Sequence, residues 1–218
     1  YREIVESARP NLAPEEYSQG GFYGAHVKWN LQGTRIMLVL RWIPEEGGPM
    51  KKNVVTMKAD GSEVFIAIPD SEWSKGGHHP NWCPDGETVM MNLNVLGNGM
   101  KLVKARYDGS DYGLMTEAVP GSGHPSLHPD REHVLTDAYP GEPVASGDGT
   151  VPIRMIDLKK ETEETLVRIQ SVPGFRGPHG ELRVDPHPAW GPEFRRFVFN
   201  GCPDGWGCRI ANDNLVKA

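Results

Sequence analysis

The sequence predicts an all-β chain of about four repeated units, each of about four short antiparallel strands. Three observations predict it. One pattern occurs four times: a histidine, two residues, an aromatic or apolar residue, a polar turn and a β-rich apolar run. Its copies are His26-Val-Lys-Trp29, His79-Pro-Asn-Trp82, His124-Pro-Ser-Leu127 and His187-Pro-Ala-Trp190, with Ile36, Val89, Val134 and Phe197 ten residues beyond each histidine. The histidines are separated by 53, 45 and 63 residues, and periods of about 50 residues mark the blades of a β-propeller or a similar array. Finally, 26 Gly and 19 Pro in 218 residues suit short strands joined by turns. No stretch keeps a useful helical period, and 5–16 is broken by Pro10 and Pro14.

The elements recur in order. In the first unit Ile36–Leu40 reads as a buried inner strand, Asn53–Lys58 as the next strand and Ala59-Asp-Gly-Ser62 as a turn. The second unit repeats this with Val89–Met91, Lys101–Arg106 and Tyr107-Asp-Gly-Ser110. The third has Val134–Leu135, Val151–Leu158 and a turn at 159–162, and the fourth has Phe197–Phe199. The predicted blades are 21–72, 73–120, 121–180 and 181–218, with 1–20 belonging to a preceding blade or a linker. Two loops are long, Pro140–Gly149 and Val172–Glu181, and long loops in compact β domains tend to be functional or mobile.

Propellers close with about four to eight blades. An unclosed arc exposes a strand edge, a liability that self-association or further blades would cover. The favoured expectation is a part of a larger ring, since the chain starts at Tyr1 without an initiator Met or a signal-peptide pattern. Cytoplasm and periplasm both stay open as locations.

A net charge of −6 argues against a generic nucleic-acid surface. No run approaches the roughly 18 apolar residues of a membrane helix, so no membrane partner is expected. An acidic ligand needs a local basic patch, for which Arg41, Lys51, Lys52 and Arg183 are the best-placed cations. Three cysteines make no disulfide framework. Cys202 and Cys208 flank a hairpin-like Pro-Asp-Gly-Trp-Gly and either face each other across two strands or, as the preferred reading, stay reduced thiols, too few for a structural zinc site.

In an extended Glu181-Leu-Arg-Val-Asp-Pro-His187, alternate residues share a face. Asp185 and His187 are then candidate ligands of one metal, an oxygen and an imidazole nitrogen suiting Mn, Fe or Zn. His124 heads the preceding blade and is expected to converge with His187, with His79 at the rim. The alternative stays open that each histidine simply hydrogen-bonds a turn of its blade. His78, His128, His133 and His179 lie outside the register and read as structural or solvated. Trp29, Trp82 and Trp190 recur with the blade and read as core. Asp137 and Tyr139 follow the third inner strand, where they either face the channel or form a strand-end turn.

These residues resemble the oligogalacturonate lyase family, seven-bladed propeller enzymes, and more broadly TolB-type repeats, over about 24–213. Gly24-Ala-His26 resembles the family's Gly-His-Pro, and His79-Pro-Asn-Trp82 its Thr-His-Glu-Phe-Trp. His124 matches the metal-ligating histidine of the next blade. Leu182-Arg-Val-Asp-Pro-His-Pro188 resembles the string Gln-x-x-His-x-His-Pro, with Leu182 at the Gln, Asp185 at the first His and His187 at the second. The family's catalytic Arg falls near Lys52-Asn53, where no Arg stands.

The resemblance implies metal-assisted β-elimination on a uronate-containing, acidic oligosaccharide. It implies a divalent transition metal, Mn ahead of Fe or Zn, on His124, Asp185 and His187. Lys52 or His79 is the base, and His26 and Arg183 contact substrate. The competing class is a non-catalytic TolB-like propeller that binds a glycan or a protein. A hydrolase would need two matched carboxylic acids, for which Asp137 and Asp185 are the pair to consider.

Overall fold

The computed structural model describes residues 17–95, 97–145, 147–171 and 184–201, and the backbone of the strand Arg209–Asn214. Arg183, His179, Cys202 and Cys208 lie outside them. The chain divides into two compact units, Tyr1–Met115 and Thr116–Ala218.

Unit 1 holds two four-stranded antiparallel sheets in simple meander order. The first contains β1 (Gly20–Trp29), β2 (Arg35–Pro44), β3 (Lys51–Lys58) and β4 (Phe65–Ile68). The second contains β5 (Gly77–Trp82), β6 (Thr88–Leu93), β7 (Lys101–Arg106) and β8 (Gly113–Leu114). The apolar runs form the second strand of each sheet, and Met37–Leu40 and Val89–Met91 are buried, as expected of strands covered on both faces. One core runs through both sheets and joins Met37, Val39 and Val54 to Val89, Met91 and Val103. A single helical turn, Asp70–Trp73, connects them and buries Trp73.

Unit 2 repeats the arrangement. Its first sheet orders β9 (Ser126–Leu127), β10 (His133–Thr136), β11 (Thr150–Asp157) and β12 (Thr162–Gln170). Its second is three-stranded, with β13 (Ala189–Trp190), β14 (Arg196–Gly201) and β15 (Arg209–Asn214). Leu135, Ile153 and Ile169 pack with Phe197 in one cluster.

The Asp-Gly-Ser turns form as their chemistry requires. Asp60 Oδ1 accepts from the backbone N and the hydroxyl of Ser62, and Asp108 from those of Ser110, side-chain mimicry of a backbone turn. The serine hydroxyls hold both carboxyls below their ordinary range.

The recurrent tryptophans clip one sheet to the sheet before it within each unit. Trp82 Nε1 donates to the Lys28 carbonyl at 3.2 Å, and Trp190 Nε1 to the Ser126 carbonyl at 3.1 Å. Both acceptors stand two residues after a repeat histidine, so the clips are equivalent. Trp29 is 56% exposed, which departs from the core role expected of it. Trp82→Phe removes the donor and also part of a buried ring, and is expected to cost about 2 kcal/mol in urea denaturation. Unchanged stability would show that the clip does not hold the two sheets together.

Candidate metal centre

The histidines that head the repeats have an unusual backbone. His26, His79 and His187 take φ of 52°, 56° and 49°, the left-handed region that few non-glycine residues adopt. In β1 and β5 this residue begins a bulge, with register shifts at Ala25/Lys28 and His78/Asn81. A bulge re-aims side chains at the strand start. The third repeat differs: there Gly123 carries the positive φ, 59°, and His124 follows it. The four positions are therefore not equivalent.

This difference sits beside a buried carboxylate. Asp137, directly after β10, has no exposed surface. Its Oδ1 accepts from the His124 backbone N at 2.6 Å, and both of its oxygens lie 3.0 Å from His124 Nδ1. Its Oδ2 accepts from the His187 backbone N at 2.9 Å. A Cβ on Gly123 would stand 2.1 Å from Asp137 Oδ1, so only glycine lets the two segments approach so closely. A carboxylate against Nδ1 makes that nitrogen the donor and leaves the lone pair on Nε2. Tyr139 places its hydroxyl 3.4 Å from that Nε2.

His124 is 6% exposed, and its ring lies over the exposed His187 ring, centroids 3.6 Å apart and planes 30° apart. A nitrogen of each lies within 4.8 Å of the other. Two nitrogens at about 2.1 Å from one ion stand no more than about 4.2 Å apart, so the two rings must turn out of this near-stacked arrangement for their lone pairs to meet on a single cation. The donor set, two imidazoles with one backed by a carboxylate, suits a borderline divalent metal.

The segment that carries His124 is fixed from two strands. Thr136 Oγ1 donates to the Ser122 carbonyl at 2.6 Å, and Arg154 Nη2 to the Pro120 carbonyl at 2.9 Å. Ser122 also bonds Glu142, whose carboxylate accepts from the Tyr139 backbone N. Asp185 does not join His124 and His187 in the grouping of close ligand atoms found among the described residues. The positive φ at His187 turns the chain, so the alternation that would align Asp185 with His187 in a flat strand is interrupted. The Asp185 carbonyl accepts from Asn200 Nδ2.

The candidates of unit 1 form their own constellation. The His26 ring packs edge-on to His79, with centroids 6.5 Å apart, and His79 to His78 at 4.9 Å. His26 Nε2 accepts from Arg41 Nη2 at 3.2 Å, and Arg41 Nη1 donates to the Tyr23 hydroxyl at 3.1 Å. Lys28 reaches the Pro80 carbonyl, 3.0 Å away, and burial holds its amine below the ordinary range. Lys52 lies on β3, opposite Arg41 of β2, and its ammonium lies over the Trp73 ring, 5.3 Å from the centroid.

Sequence reasoning left Asp137 and Tyr139 between two roles and did not single out Gly123, Arg154 or Lys28. The available signal was the Gly-His pair at 123–124 with an Asp closing the following inner strand. His128 and His133 both contact Asp130, at 2.9 and 2.8 Å, the structural role expected of them.

No protein-family model matches the chain, and no curated protein does. Solved structures do. An oligogalacturonate lyase in complex with manganese superposes with a TM-score of 0.59 at 12% identity, over 92% of this chain and 67% of that one. TolB from Acinetobacter baumannii gives 0.56 at 10% identity, over 89% and 52%. The β-propeller domain of the Trilobed protease from Pyrococcus furiosus gives 0.51 at 10%, over 90% and 57%. The chain thus spans between 52% and 67% of these structures. At such identities the likeness is one of fold: the chain is an all-β protein of the β-propeller type.

Proposed function

We propose that the chain carries the metal-binding part of a lyase that cleaves uronate-containing oligosaccharides by β-elimination. The observation that carries the proposal is the His124–Asp137 pair beside His187. The oligogalacturonate lyase with manganese supports it as a likeness of fold. The reaction removes the weakly acidic proton α to a carboxylate and expels the 4-linked sugar. A bound divalent cation, Mn in the proposal with Fe or Zn as alternatives, supplies Lewis acidity toward that carboxylate.

The residues of the chain do the rest. His124 and His187 hold the cation, and Asp185 enters only as an additional oxygen donor. Tyr139 directs its hydroxyl to the same side as His124 Nε2, where it can hydrogen-bond the sugar. His26 with Arg41, and Arg183, are the proposed contacts of substrate carboxylates, Arg offering paired donors. Lys52 and His79 remain the proposed bases on the resemblance alone.

The test is elemental analysis of the purified protein together with the ultraviolet absorbance of unsaturated uronate products. His124→Ala is expected to lose metal, at least tenfold in affinity, and to abolish product formation. Unchanged metal content in that variant would falsify the site. A metal-free wild-type protein that binds glycan without cleaving it would favour the non-catalytic alternative.

A further inference from the structure

We infer that Asp137 is the positioning residue of the centre, setting both the tautomer of His124 and the backbone of His187; the role assigned to it rests on the metal reading above. Three donors from two repeat-heading histidines converge on one carboxylate with no exposed surface: His124 N, His124 Nδ1 and His187 N. Among the described residues no Lys or Arg makes an ion pair with it. A charge buried in this way is costly unless hydrogen bonds replace its water, and these three do so. The arrangement therefore serves the histidines.

Each bond has a separate consequence. The Nδ1 contact selects the tautomer that carries its lone pair on Nε2, where the Tyr139 hydroxyl lies 3.4 Å away and a cation would take its place, and it makes that nitrogen a better metal ligand. The bond to His124 N fixes where the ring begins. The bond to His187 N holds a residue in the left-handed region, φ 49°, a conformation that persists only where its surroundings enforce it. One carboxylate thus couples the conformations of two side chains whose rings lie 3.6 Å apart.

Asp137→Asn is nearly isosteric and separates this role from packing. Its amide keeps one acceptor oxygen and turns the other position into a donor. Either the backbone N of His124 or that of His187 then loses its acceptor, and His124 Nδ1 faces one oxygen and one NH2 in place of two oxygens. The experiment uses the whole chain, with Mn2+ and Zn2+ as probes in titration calorimetry. Nitrogen-15 imidazole spectra of the metal-free protein report the tautomer of His124.

The wild type is expected to show Nδ1–H on His124. Asp137→Asn is expected to bind both metals ten- to a hundredfold more weakly, with a changed His124 signal and a preserved circular dichroism spectrum. Wild-type affinity and an unchanged tautomer in the variant would overturn the assignment. If Asp137→Asn does not fold, the wild-type spectrum decides alone, and Nε2–H on His124 overturns it. Wild-type protein that takes up neither metal defeats the metal reading, while the tautomer spectrum still decides the role of Asp137.

Discussion

Gly123→Ala is expected to destabilise unit 2 by about 3–5 kcal/mol and to abolish metal uptake at the proposed centre at the same time. Two costs add. A left-handed φ, 59° here, costs an L-residue about 1 kcal/mol relative to glycine. The new methyl would also lie 2.1 Å from Asp137 Oδ1 and 2.4 Å from its carbonyl oxygen. The second contact is with backbone, so no side-chain rotation relieves it. The 120–124 segment must move away, and Asp137 then loses the His124 donors. Each buried polar group left unsatisfied costs about 1–3 kcal/mol. Gly141→Ala is the control, since nothing lies within 4 Å of a Cβ there, and its effect should stay within about 0.5 kcal/mol. Urea denaturation of both variants makes the comparison. Equal stability of Gly123→Ala and wild type would mean that the approach of Gly123 to Asp137 is not a constraint.

The blades were legible because their signals are local. An apolar run such as Val89–Met91 must be covered on both faces, and Asp-Gly-Ser bonds its own backbone. Both facts are written within a few residues. The site was legible only in part. His124 and His187 could be matched through the repeat register, and they do lie together. Asp185 was placed by the two-residue alternation of a flat strand, which the backbone at His187 interrupts. Nothing in the sequence gives the sign of φ at a histidine. Asp137 was visible as a strand-end residue, but its role depends on two donors 13 residues before it and 50 residues after it. Trp29 shows the same limit. Its motif equals that of Trp82, yet its exposure is decided by what packs against it.

Arg154 shows how much of the site is held from beneath. Its guanidinium is 2% exposed, donates through Nε to Glu163 at 2.7 Å and through Nη2 to the Pro120 carbonyl, and also pairs with Glu163 through Nη2. Its Nη1 is buried without a hydrogen-bond partner among the described residues. Glu163→Ala therefore leaves a buried cation with a single carbonyl acceptor. Breaking a fully buried pair costs about 3–5 kcal/mol. Glu163 is 36% exposed, so water screens the pair and replaces part of the loss, and about 2–3 kcal/mol is expected. Arg154→Met added to Glu163→Ala removes the stranded charge, and the double variant should be more stable than Glu163→Ala alone. It will not recover the centre, because the Pro120 carbonyl then loses its donor and with it the tie of the 120–124 segment to β11. Stability and metal affinity should thus separate in the double variant, the first partly restored and the second still weakened. Urea denaturation and Mn2+ titration of the three proteins measure the two quantities, and recovery of both together would mean that Arg154 has no part in placing His124.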